Sequence, residues 1–99
     1  MKTNFKNFMS LALDEAKLSA IRGEVPVGAI IVNSQDNMVI ARSGNKVEEL
    51  KDPTAHAEIL VIREATRLLG TRIQNCDLYV TLEPCSMCAS AASLARIRR

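Results

Sequence analysis

The sequence has no tryptophan, one tyrosine and two phenylalanines among 99 residues. So sparse an aromatic set offers few platforms on which bases could stack, and composition alone does not suggest a nucleic-acid partner. No apolar run approaches the ~18 residues needed to span a bilayer. The N-terminal MKTNFKNFMSLALDEAK has acids and amphipathic spacing where a signal peptide would have an unbroken apolar core, so a soluble, cytoplasmic chain is expected. Three cysteines, Cys76, Cys85 and Cys88, are too few and wrongly numbered for a disulfide framework. Charge of one sign is lacking as well: 13 basic and 11 acidic residues leave a net charge of +2, which neither requires nor forbids a phosphate partner. The basic cluster Arg96, Arg98 and Arg99 reads as a solvated chain end, with phosphate contact as the alternative. There is no internal repeat, low-complexity tract or linker.

What is present is an apolar fraction of 47%, which places the chain among globular proteins as one domain over residues 1–99. A chain of this size buries about 60–70% of its unfolded surface. From Asn4 to about Arg22, Phe5, Phe8, Met9, Ala12, Ala16 and Ala20 recur at steps of three or four, the spacing of an amphipathic helix. Thr3 is a candidate N-cap and Gly23 a candidate stop. In VPVGAIIV, residues 25–32, both alternating faces are apolar, as in a central strand covered on both sides. A turn through Ser34 to Asn37 leads to MVIAR, residues 38–42, its expected hairpin partner.

In DPTAHAEILVIREATRLLG, Asp52 can cap a second helix, Pro53 suits its first position and Gly70 ends it. Its middle, Ile59 to Ile62, is apolar nearly all round, which suggests cover from more than one neighbour, a partner subunit included. LYVTL, residues 78–82, reads as a third strand, and a small-residue helix is expected from Cys85 onward. A strand–helix–strand unit favours parallel pairing, hence an α/β layer around one sheet.

Two constellations carry chemistry. His56-Ala57-Glu58 stands at the start of the second helix, where side chains two apart can both reach off the helix end although they would diverge in its interior. Pro84-Cys85-Ser86-Met87-Cys88 stands where a strand hands over to a helix; on a first turn both sulfurs fall on one face, and the helix N-terminus favours the thiolate. One imidazole and two thiolates suit tetrahedral zinc, and three protein ligands leave a position for water, as catalytic sites do. Cys76 is a poor fourth ligand: the intervening strand, at ~3.3 Å per residue, puts it roughly 17 Å or more from Cys85. It reads as an ordinary buried or half-buried thiol. A redox-active Cys-x-x-Cys is the rival reading, and it leaves His56 and Glu58 without a role. In open α/β sheets, ligands bind beyond the carboxyl ends of the strands, where both motifs would lie.

The combination H-x-E…P-C-x-x-C is the signature of zinc nucleobase deaminases. Beyond it, GEVPVGAIIV, DPTAHAEILVIREA, LYVTLEPCSMC and ARI closely resemble the bacterial tRNA-specific adenosine deaminases, over nearly the whole chain. Guanine deaminases of the same superfamily share a related DPTAHAE segment. The resemblance implies a three-layer α/β/α fold of the cytidine deaminase type and one zinc per chain on His56, Cys85 and Cys88. It implies Glu58 as the proton carrier, not a ligand, and Asn45 with the backbone N–H of Ala57 as the groups holding the base. Without the family, Asn45 would be a turn residue after Gly44. The implied reaction is hydrolytic deamination of adenosine to inosine at the wobble position of a tRNA anticodon stem-loop, by a homodimer.

Members of that family continue past ARI into further strands and a C-terminal helix, so the chain is expected to be a partial domain whose third strand keeps an unpaired edge. Ser90 stands where the family often has glycine. Two other readings remain from the sequence: a deaminase of a free base or nucleoside such as guanine, and an inactive remnant that at most binds zinc.

Overall fold

The computed structural model describes residues 5–71 and 73–81, with side chains from Asn7 onward. The elements are α1 (Phe5–Ile21), β1 (Gly28–Asn33), β2 (Met38–Gly44), α2 (Val47–Leu50), α3 (Ala57–Leu69) and β3 (Cys76–Val80). Expectations for Thr3, for the helix from Cys85 and for the two motif cysteines fall outside the described residues.

β1 is the middle strand of a sheet ordered β2-β1-β3. Its alternation explains why. Ile30 and Val32 pack with Phe8 and Ala12 of α1 on one face. Ala29 and Ile31 pack on the other with Ala57, Val61, Ile62 and Ala65 of α3 and with Leu78 of β3. Each large aliphatic side chain buried this way contributes about 1.5–3 kcal/mol. The sheet is therefore sandwiched between helices, the expected α/β/α layering.

The first hairpin forms as expected, with a bulge at Ile40 of β2, left between the pairs Ile31–Ala41 and Val32–Val39. Its turn is held by Asn33 Oδ1 accepting from the Gln35 N–H at 2.9 Å and Asp36 Oδ1 from the Met38 N–H at 3.0 Å. The expectation of parallel pairing is corrected. β3 runs antiparallel to β1, with Ala29 opposite Val80 and Asn33 opposite Cys76. β2 and β3 do run in the same direction, joined through α3, but β1 lies between them. The third strand also begins at Cys76, two residues before the expected Leu78.

Two helices differ in detail from the sequence reading. On α1 the buried stripe is Phe8, Ala12, Ala16 and Ser19, and Ala20 is exposed. α3 begins at Ala57, not at Pro53, because Asp52 is used locally. Its Oδ1 accepts from both the Thr54 N–H at 2.9 Å and the Thr54 hydroxyl at 2.7 Å, and the Thr54 carbonyl then takes the His56 N–H at 2.8 Å. An Asx turn thus replaces a helix cap. Within one chain Ile59, Val61 and Ile62 are already buried, and Leu60 is half-buried.

Candidate active site

The site is built at one end of the sheet. Gly28, the first residue of β1, lies opposite Gly44, the last of β2. Beyond it, the Thr81 N–H donates to the Gly28 carbonyl at 3.1 Å and the Gly28 N–H to Thr81 Oγ1 at 3.2 Å. The carboxyl ends of β2 and β3 therefore meet the start of β1. The chain leading to His56 departs from one of them, and the chain leading to Cys85 from the other. Cys76 lies at the opposite end, across from Asn33. It is buried, and burial first, then the charges of Asp77 and Asp36, push its thiol pKa up. The reading of Cys76 as an ordinary buried thiol holds.

Asn45 is the first residue past β2. Its N–H donates to the Val27 carbonyl at 3.0 Å, and its carbonyl accepts from Ser19 Oγ at 3.3 Å and from an Arg22 guanidinium N–H at 3.4 Å. His56 is the N-cap residue of α3, in extended backbone geometry, and its carbonyl accepts the helix's opening bond from the Leu60 N–H at 3.0 Å. Ala57 therefore occupies the first helical position, whose N–H has no acceptor within the helix. Glu58 follows in the first turn. It is only 4% exposed.

A cavity of about 670 Å³ opens at this end of the sheet, lined among others by Glu24, Val27, Asn45, Pro53, His56 and Glu58. Three of the expected site residues, separated in sequence, thus line one space. Ala57, also expected at the site, is fully buried between His56 and Glu58 in the chain. Cys85 and Cys88 lie outside the described residues, and among the described residues no cluster of three His, Cys, Asp or Glu side chains is arranged for a metal. His56 brings an imidazole to the cavity, a donor suited to zinc, and a complete ligand set would need further donors from outside the described residues.

The sequence reading missed Glu24. Its buried carboxylate accepts from the Glu48 N–H at 3.0 Å, the Glu49 N–H at 2.7 Å and the Asn45 side-chain amide at 3.3 Å. These N–H groups open α2, whose own N-cap residue, Lys46, makes no side-chain cap. Burial opposes ionisation of Glu24, but the two backbone donors, the Asn45 amide and the Arg22 charge outweigh it and hold the carboxyl below its usual range. The chain reaches this position through a Schellman turn. Gly23 has φ +84°, its N–H bonds to the Ala20 carbonyl at 3.0 Å, and the Glu24 N–H bonds back to the Ser19 carbonyl at 2.9 Å. An acid directly after a helix-stopping glycine was the signal available.

Residues 2–99 match the family described as the cytidine and deoxycytidylate deaminase zinc-binding region. The chain is 61% identical over 94 residues to a tRNA-specific adenosine deaminase of Agrobacterium fabrum, covering 94% of this chain and 60% of that protein. It is 56% identical over 93 residues to that of Aquifex aeolicus, again spanning 60% of the relative. Among solved structures it resembles a deaminase from studies of A-to-I editing by tRNA:A34 deaminases at the wobble position, with a TM-score of 0.88, 60% identity and coverage of 94% and 67% of the two chains. A guanine deaminase from Bacillus subtilis superposes with a TM-score of 0.91 at 39% identity, covering 97% and 61%. The chain thus spans about 60% of the length of the curated relatives it matches. With Asn45, His56 and Glu58 lining one cavity and the family matching residues 2–99, this chain belongs to the cytidine and deoxycytidylate deaminase zinc-binding family.

Proposed function

We propose that this chain catalyses hydrolytic deamination of adenosine to inosine at the wobble position of a tRNA anticodon, with one zinc ion per chain. The observation that carries the proposal is the convergence of Asn45, His56 and Glu58 on one cavity at the sheet end where β3 runs out toward Cys85 and Cys88. The described lining includes Glu24, Glu48 and Glu58 and no lysine or arginine. Such a pocket repels phosphate and suits an uncharged ring, so the base would enter while its backbone stays outside.

His56, Cys85 and Cys88 would hold the zinc, which when bound acidifies a water enough to supply hydroxide near neutral pH. Glu58, buried in the first turn of α3, would carry one proton from the attacking water to the ring nitrogen, where inosine keeps it, and a second from the new C6 hydroxyl to the departing amine. Oxygen adds at C6, the C6–N bond breaks, and adenosine plus water becomes inosine plus ammonia. Asn45 and the Ala57 N–H would fix the ring's edge.

The test is inosine formation in an anticodon stem-loop by the zinc-loaded chain. Glu58→Gln should lower turnover by about 10²–10⁴-fold, and His56→Ala should lose both zinc and activity. Full turnover in Glu58→Gln would sink the proton-carrier role. No inosine from the parent chain would leave the remnant reading standing. A second reading, deamination of a free purine such as guanine, draws on the fold likeness to the Bacillus subtilis enzyme. Turnover of free bases with none on RNA would favour it, whereas the higher identity to tRNA-specific relatives favours the first.

Homodimerisation and a cytoplasmic setting belong to the same proposal. Leu68 and Leu69, exposed at the end of α3, support the former. A monomer mass at micromolar concentration would count against it. No helix among the described residues is long and apolar enough to cross a membrane.

A further inference from the structure

We infer that Glu24 is a positioning residue for Asn45, setting which end of the Asn45 amide is presented to the base. The inference rests on the proposed role of Asn45 at the cavity. An asparagine amide can be rotated end for end with little change in shape, so something must decide where its nitrogen lies. Here the Asn45 backbone is clamped on both sides, by Val27 through its N–H and by Ser19 and Arg22 through its carbonyl. Only the side-chain torsions remain to be fixed. Glu24 Oε1 accepts one hydrogen of Asn45 Nδ2 at 3.3 Å. The reversed amide would set Oδ1 against a carboxylate, two acceptors facing each other in a buried place, which is strongly disfavoured.

The carboxylate itself is immobilised. It cannot swing away without abandoning the Glu48 and Glu49 N–H groups, which it holds at 3.0 and 2.7 Å. One acid therefore locks three things together: the start of α2, the loop after Gly23 and the Asn45 amide. With Nδ2 held inward, its second N–H and Oδ1 keep defined directions, and the purine edge meets one hydrogen-bond pattern instead of two.

The test uses the zinc-loaded chain labelled with ¹⁵N at asparagine, with Asn45→Ala assigning the Asn45 side-chain signals. In Glu24→Gln, which keeps the shape and removes the charge, the Asn45 Nδ2 pair should move while the other asparagine pairs stay in place. On the stem-loop substrate, Glu24→Gln and Asn45→Ala should each lower kcat/KM about tenfold, chiefly through KM, and the double variant should lose about tenfold, not the product. An unmoved Asn45 pair, or losses that multiply, overturns the inference. If Glu24→Gln fails to fold, Glu24→Asp is read in the same spectrum. That variant retracts the carboxylate by one methylene, and an unshifted Asn45 pair again overturns it. A parent chain that makes no inosine counts against the proposed function, and the amide spectrum still decides the role of Glu24.

Discussion

At the cavity end of the sheet the two faces are packed by different means, although Phe8 fills the α1 face farther along against Ile30 and Val32. On the α1 face, helix and strands approach closely at Gly28 and Gly44. A Cβ on Gly28 would lie 2.0 Å from the Ala12 carbonyl oxygen and 2.6 Å from the Ala16 nitrogen, and one on Gly44 would lie 1.8 Å from Ser19 Oγ. Alanine and serine on α1 and glycine on the strands are what this approach requires. On the α3 face, side-chain volume fills the space, with Val61, Ile62, Ile31, Ile73 and Leu78 in contact. The difference divides the labour of the site. The close face brings Ser19, Arg22 and Glu24 near enough to clamp Asn45. The voluminous face anchors the helix that carries His56 and Glu58. One side positions, and the other would do the chemistry.

The comparison can be broken by mutation. Adding a single methyl at Gly28 should be the most damaging change: Gly28→Ala is expected to destabilise by about 3 kcal/mol or more, because backbone atoms, not a flexible side-chain end, occupy the space. Denaturant unfolding measures it, and a variant as stable as the parent would mean that α1 can simply step back. Removing volume from the other face should be milder. Val61→Ala, at a site 1% exposed, is expected to lose about 1.5–3 kcal/mol by the same measurement. If it exceeded Gly28→Ala, the contrast between the faces would be reversed.

The smallest effect is expected from acid. Glu24, Asp52 and Glu64 all have carboxyls held below their ordinary values of 4.5, 3.8 and 4.5. For Asp52 the cause is the Thr54 hydroxyl and N–H, and for Glu64 it is Arg67 one turn away. A depressed folded pKa contributes stability above the unfolded value and loses it as pH falls through the folded one. The melting temperature should therefore hold down to about pH 4.5 and decline below it. A Tm rising on acidification would contradict the sign.

Much of this was legible beforehand, and the misses have physical causes. β1 announced itself because a strand apolar on both faces has few other uses. The misplaced start of α3 came from Asp52-Pro53, which serves a turn and a cap equally well; only Thr54, donating both its N–H and its hydroxyl to Asp52, settles which. The pairing of β3 went astray because strand-forming residues encode extension, not which neighbour they will find. Glu24 was passed over because its partners lie 21 to 25 residues downstream, beyond any local pattern.

By itself the sequence determined the candidate reactive groups and their spacing: an imidazole and a carboxylate two apart, and two thiols three apart. Those are properties of the chain over a few residues, so they survive without knowledge of the fold. Only the tertiary structure decided that Asn45, His56 and Glu58 share one cavity, that β1 stands between two strands of common direction, and that Glu24 holds the Asn45 amide. Each of these depends on where distant segments meet, and that is set by packing both faces of the sheet at once.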